Sequence, residues 1–220
     1  MAKAFRDEAL KQDLKTTKPK TQRGQLTMNR IIKAAEAEFG KKGYYNTSIN
    51  DITSRAKVAP GTLYIYFEDK YSLYCQLLQR YSHDIRQQIV RDVGDATDRL
   101  EVERRGLLSF LQQVRKKPHM YQIIWESLYI NPKLFVDYYE SFARRYRLQL
   151  DDAQGEITPM DNTVLAYMLM GIANFLGLKY VFFDKKADLN RVVDEAMMFY
   201  KHGFLGVQAS GISSPVPEND

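Results

Sequence analysis

The stretch from Phe39 to Lys70, FGKKGYYNTSINDITSRAKVAPGTLYIYFEDK, constrains this chain more than any other, because its punctuation dictates two short helices joined by a tight bend. Gly43 stands where one helix must stop, since glycine enters the left-handed conformation there without steric cost. Asn46, Thr47 and Ser48 each offer an N-cap, and Ser48 with Asp51 spells a capping-box pair. The helix that starts there buries Ile49, Ile52 and Ala56 at helical spacing. Lys57 to Ala59 form the turn. Pro60 then takes a first helical position, where a missing N–H costs nothing, and Leu63 and Phe67 face inward on the next helix. Two short helices about such a turn make a helix-turn-helix.

The outward side of the second helix carries Pro60, Gly61, Thr62, Tyr64 and Tyr66, none of them charged, so it can enter a major groove without an acid facing phosphate. Gly61 lets the backbone come close. Thr62 and Tyr64 are expected to give apolar and hydroxyl contacts to bases, with DNA shape carrying much of the specificity. Thr47, Ser48, Tyr66 and Lys70 are expected to hold phosphates. The pattern F-x-x-x-G-Y-x-x-T-S-x-x-D-I followed by V-x-x-G-T-L-Y-x-Y-F resembles the DNA-binding domain of the tetracycline-repressor (TetR) family over roughly Leu26 to Leu73. Two departures stand out: Lys57 where family members usually carry Gly, and Ala59 where they usually carry Ser. Each puts about 1 kcal/mol of local stability at stake.

Charge is distributed as a nucleic-acid-binding reading requires. The net charge is +5, but Met1 to Arg80 carry 15 Lys+Arg against 8 Asp+Glu, and the remainder 17 against 19. The positive field belongs to the front third. A single cysteine, Cys75, excludes an intrachain disulfide framework and fits a reducing compartment. The longest apolar runs read as interrupted by Asn, Lys, Glu or Gly short of a bilayer span, and no leader pattern is visible, so a cytoplasmic protein without a membrane partner is expected.

The 220 residues divide into a basic flexible arm (1–25), the helix-turn-helix domain (26–70), a helical effector-binding and dimerisation domain (71–205) and a disordered tail (206–220). The arm reads either as a follower of the DNA backbone or minor groove through Lys15, Lys18, Lys20 and Arg23, or as an inert solvated tail. Helix 1 is expected over about Leu26 to Lys42. A fourth helix, capped by Glu68 or Asp69 and running to about Val93, spans about 37 Å at 1.5 Å per residue and suits a lever between domains. Breaks at Pro118, Asn131-Pro132, Gly155 to Pro159 and Phe183 to Lys186 leave helices at Arg99 to Lys116, His119 to Tyr129, Pro132 to Ala153, Pro159 to Phe182 and Ala187 to Phe204. The fold class is therefore all-α, with about nine helices.

Between Tyr121 and Tyr146 lie eight aromatics. They read either as plain core or as the wall of an effector pocket, in which tyrosine hydroxyls supply the polar handles. The pocket set is Tyr121, Trp125, Tyr129, Phe135, Tyr139 and Phe142, completed by Tyr167, Met170, Asn174 and Phe175. The resemblance points the same way, implying an effector cavity within helices 5 to 8. Arg144, Arg145 and Arg147 read as an anion site or a solvated face, and Glu126 as a cation contact or an arginine's partner. Ala166, Met170, Ala173 and Gly177 permit close helix contact, and the resemblance implies that helices 8 and 9 pair with their symmetry mates in a four-helix dimer interface. Intrachain packing is the alternative.

Catalysis, a metal and a cofactor are not expected: His83, His119 and His202 lack ligand spacing, and no phosphate loop, nucleophile elbow or paired-carboxylate pattern occurs. The expected function is a ligand-responsive, homodimeric repressor. Its partners are a palindromic double-stranded operator and a small hydrophobic or amphipathic effector such as an acyl-CoA, a fatty acid or an aromatic compound. Control by a protein partner is the rival reading, and a helical enzyme a remote one.

Overall fold

The computed structural model describes residues 17, 19–153 and 155–203, and within them the chain forms nine α-helices and one π-helical segment. The expected readings of Lys15, Lys18 and the tail lie outside the described residues. Helix α1 (Gln22–Lys42) starts four residues before the expected Leu26, because the Thr21 hydroxyl accepts from Gly24 N–H at 3.1 Å and caps it there. The last part of the expected arm is thus helical. Gly43, at φ 77°, ends α1 as its position demands.

Helix α2 (Ile49–Ala56) begins with the full Ser48/Asp51 capping box, and Lys57 closes it in the left-handed region at φ 54°. Helix α3 (Pro60–Tyr64) has Pro at its first position and no side-chain cap from Ala59. It spans five residues, so Tyr66 and Phe67 fall beyond it and are buried. Helix α4 (Lys70–Val93) opens on a second capping box, Asp69 with Ser72. Helices α5 (Arg99–Lys116), α6 (His119–Ile130) and α7 (Pro132–Asp152) lie within a residue of their expected limits.

Helix α8 (Asn162–Leu178) starts three residues later than expected, because the Asp161 carboxylate accepts from the N–H groups of Thr163 and Val164. It runs into the π-helical segment Lys179–Phe183, and α9 (Leu189–His202) follows, capped by Asp188. Asn162–Phe183, 22 residues, is long and apolar enough by length and composition to cross a membrane, which corrects the reading of its Asn and Gly as interruptions.

One hydrophobic core runs without a break from α1 to α7. Ile31, Phe39, Ile52, Leu63 and Phe67 pack with Leu73, Leu77 and Tyr81 of α4, then with Ile123 of α6 and Leu134 of α7. A second cluster joins Leu107 and Leu111 of α5 to Leu189, Val192 and Val193 of α9. A small third one, Val114, Tyr121 and Val181 with Phe110 against it, sits among α5, α6 and the π-helical segment. Cys75 is buried in the main core, and burial pushes its thiol up to about 11.

Candidate functional site

The helix-turn-helix is held by buried contacts on one side and left open on the other. Leu63 anchors α3 from below, fully buried, while Pro60, Gly61 and Tyr64 stand exposed above it, Tyr64 at 56 %. Thr62 is half-buried. Gly61 has no positive φ and a Cβ added to it would meet nothing within 4 Å. Neither backbone strain nor internal packing therefore asks for glycine at this position. Ile65, exposed beside Tyr64, joins the same surface and was missed in the sequence, where a lone apolar residue at a helix end carries no signal.

Three of the expected phosphate contacts are engaged inside the protein. Thr47 is 1 % exposed and its hydroxyl donates to Gly43 O at 2.7 Å, closing the turn between α1 and α2. Tyr66 is 9 % exposed, its hydroxyl beside the first turn of α1 at Gly24. Lys70 donates to Tyr44 O at 2.8 Å and Thr47 O at 2.9 Å and lies over the Tyr44 ring. Two of its three donors are spent on that turn, and burial lowers its pKa. Ser48 is exposed, its hydroxyl shared with Asp51. Thr17 N–H donates to Tyr66 O at 3.2 Å, so the chain entering α1 passes the end of α3, and the exposed Lys20 and Arg23 follow.

Behind this surface, Glu38 is buried and holds Arg55 Nε at 2.5 Å and Lys42 Nζ at 3.0 Å, tying α1 to α2. The Arg55 hydrogen bond, then that of Lys42, holds its carboxyl below the usual range. Glu38 and Arg55, with Asn50, Asp51 and Ser54, line an open hollow beside α2. Helix α6 grips the same region at two points. His119 Nε2 meets Glu36 Oε1 at 2.9 Å, and Glu126 Oε1 accepts from Tyr44 N–H at 2.8 Å, just past the end of α1. Glu126 thus binds a backbone amide rather than an arginine, and burial raises its pKa.

The residues expected to wall an effector pocket fall in four places. Tyr121 is buried in the small third cluster and its hydroxyl donates to Asn174 O at 3.1 Å. Phe135 and Tyr139 meet as tilted rings 4.8 Å apart in an aromatic chain through Tyr138 to Phe142, of which Tyr138, Tyr139 and Phe142 pack in or on the main core. Trp125 and Tyr129 are exposed on α6, Tyr129 at 79 %. On α8, Phe175 and Tyr167 are exposed, the Tyr167 hydroxyl donating to Glu140 at 2.5 Å, while Met170 and Asn174 are half-buried.

The small-residue stripe of α8 splits. Ala166 packs inward with Leu150 and Leu169, and Gly177 lies so close to the Tyr121 hydroxyl that a Cβ there would stand 2.0 Å from it. At these two residues intrachain packing explains the small side chain. The open stripe is a different one: Val164, Met168, Phe175 and Phe182 are exposed, with Gly171 open between them and Met198 and Phe199 exposed on α9. Ile172, Leu176, Tyr180, Val192, Ala196 and Phe199 line a shallow apolar groove between the two helices, with Arg191 and Glu195 at its rim.

Among the described residues, no group of three or more His, Cys, Asp or Glu is placed to hold a metal ion. Residues 31–77 match the family of bacterial regulatory proteins, tetR family. The HTH-type transcriptional regulator HbdR of Aromatoleum sp. (strain CIB) is 24 % identical over 197 residues, 87 % of this chain and 86 % of that one. Among solved structures, the fatty acid degradation regulator FadR from Bacillus halodurans superposes with a TM-score of 0.73 at 21 % identity, over 86 % of this chain and all of that one. FadR from Bacillus subtilis, in complex with stearoyl-CoA, gives 0.69 at 18 % identity over 80 % and 98 %. The motif, the helix-turn-helix and these likenesses agree: residues 31–77 form a DNA-binding domain of the tetR family, and over most of its length the chain is similar to transcriptional regulators.

Proposed function

We propose that the chain is a cytoplasmic, homodimeric repressor that leaves a palindromic operator when an acyl-CoA, a fatty acid or a similar amphipathic effector binds its helical domain. The observation that carries the DNA part is the exposed, uncharged ridge of Pro60, Gly61 and Tyr64, where the missing Cβ of Gly61 serves no internal purpose. A close approach from outside accounts for it, with Thr62 and Ser48 at the flanks. Lys20 and Arg23, exposed where the chain passes α3, suit a basic arm following the DNA backbone. The effector class is supported by a structural neighbour, FadR from Bacillus subtilis, whose structure is a complex with stearoyl-CoA.

The dimer part rests on the open apolar stripe of α8 and its continuation onto α9. We read the 22-residue apolar segment as a seam between two copies rather than a membrane span, since the exposed face continues onto a second helix. Two-fold pairing sets the recognition helices about 34 Å apart, one turn of the DNA. Control by a protein partner is the second reading, favoured by exposed Trp125, Leu128 and Tyr129 on α6.

Gel-shift titration against the DNA flanking the chain's own gene, with and without fatty acids, acyl-CoAs and aromatic compounds, tests the proposal. A shift reversed by one of these classes is expected. A specific shift that none of them changes would support the protein-partner reading, and no specific shift would remove both.

A further inference from the structure

Arg115 stands out among the cations of the helical domain. Its Nε and Nη2 are both buried, and neither has a hydrogen-bond partner. Half-buried Arg99 also has a buried Nε without a partner, but its Nη groups donate to Glu103 and to Gln149 O, whereas Arg115 has the whole Nε/Nη2 edge unpaired. The identity of the two orphaned atoms matters. Nε–H and the Nη2–H beside it point in parallel from one edge of the guanidinium plane, the edge that takes both oxygens of a carboxylate or phosphate at once. Burying that edge with nothing to receive it is costly, and native chains retain such a group where something else completes it.

Its position fits a ligand site. Arg115 follows Leu111 by one helical turn and neighbours Val114, whose side chain packs with Tyr121 and Val181. Val181 belongs to the π-helical segment, which packs on α5, and single π-turns recur at functional sites. Phe110 packs against the same apolar cluster. An apolar cluster one residue along the helix from an unpaired cation suits an amphipathic anion.

We infer that Arg115 is the anion receptor of the effector site, its Nε/Nη2 edge gripping the carboxylate or phosphate of a ligand whose apolar part lies along Phe110, Val114, Tyr121 and Val181. The inference rests on the effector reading above and names the group that reading lacks. It also replaces Arg144, Arg145 and Arg147 as the arginines that receive the anion.

The test uses the full chain and three probes, dodecanoate, dodecanoyl-CoA and dodecanol, titrated calorimetrically against the natural protein, Arg115→Gln and Arg115→Lys. Lys keeps the charge and loses the fork. The expected result is that both variants weaken the charged probe the natural protein prefers by at least tenfold and leave dodecanol unchanged. Preference for dodecanoate assigns the edge to a carboxylate, and preference for dodecanoyl-CoA to a phosphate. Charged probes bound equally well by all three proteins, or a loss for dodecanol equal to that for the charged probes, would overturn the inference while leaving the effector reading intact. Should the natural protein bind none of the probes, both would fall together.

Discussion

Lys57 is the one non-glycine residue at positive φ among those described, and it holds the bend on which α3 is aimed. Its Cβ is the source of strain, so Lys57→Gly should raise stability by about 1 kcal/mol, a melting-temperature gain of about 2–4 °C in a chain of this size. Thermal melts of the two proteins check it. Glu38 gives a pH dependence with a definite sign. Its folded pKa lies below the unfolded value, chiefly through Arg55 and then Lys42. The stability it contributes is therefore present above the ordinary glutamate range and is lost as pH falls through the lowered value. Arg55→Met should cost about 2 kcal/mol near neutrality and flatten the fall in melting temperature between about pH 5 and pH 3. At this scale the sequence was informative wherever a residue's task is local. Gly43, Ser48, Asp51 and Lys57 act within four residues of themselves, and all four stand as expected. Tyr66 and Lys70 turn inward toward Gly24 and the Tyr44 carbonyl, partners that no short window of sequence brings near, while Thr47 spends its hydroxyl on Gly43 O only four residues back.

Helix α3 is five residues long and depends on Leu63 beneath it for its place, which leaves its upper face to other molecules. Gly61→Ala should separate folding from binding. It adds helix propensity worth about 0.5–1 kcal/mol and clashes with nothing inside the chain, yet it should weaken operator binding. Melting curves and gel shifts on the same preparation read the two effects, and unchanged affinity would mean that no backbone of DNA comes close there. Helix periods were legible almost everywhere, because caps and prolines mark their ends: α5, α6 and α7 came out within a residue. Which side of α8 faces out was not. Small residues fit equally against a neighbour of the same chain or of another copy, and only the Tyr121 hydroxyl against Gly177 decides between them. The buried edge of Arg115 was not legible either, since a basic residue in the last turn of a helix ordinarily reads as solvated.

For the whole molecule, the open face of α8 makes the two-copy arrangement testable. Phe175→Asp sets a charge on the exposed stripe without touching the buried clusters, so the chain should stay folded, sediment as a monomer and lose most operator affinity. The core that joins α1 to α7 bears on how such a molecule responds. Ile31, Phe39 and Leu63 share their packing with Leu73, Leu77 and Ile123, so residues 1–70 expressed alone should not fold. Circular dichroism of that fragment checks it. The twofold hold of α6 on α1 adds direction. His119 and Glu126 lie two turns apart on a single rod, fastened to Glu36 in the last turns of α1 and to the amide of Tyr44 just past its end. A rod pinned at two points cannot tilt against its neighbour without breaking one of the pins. Any push that a bound molecule delivers to α6 would then arrive undiminished at the reading head, as a change of bearing rather than a loosening.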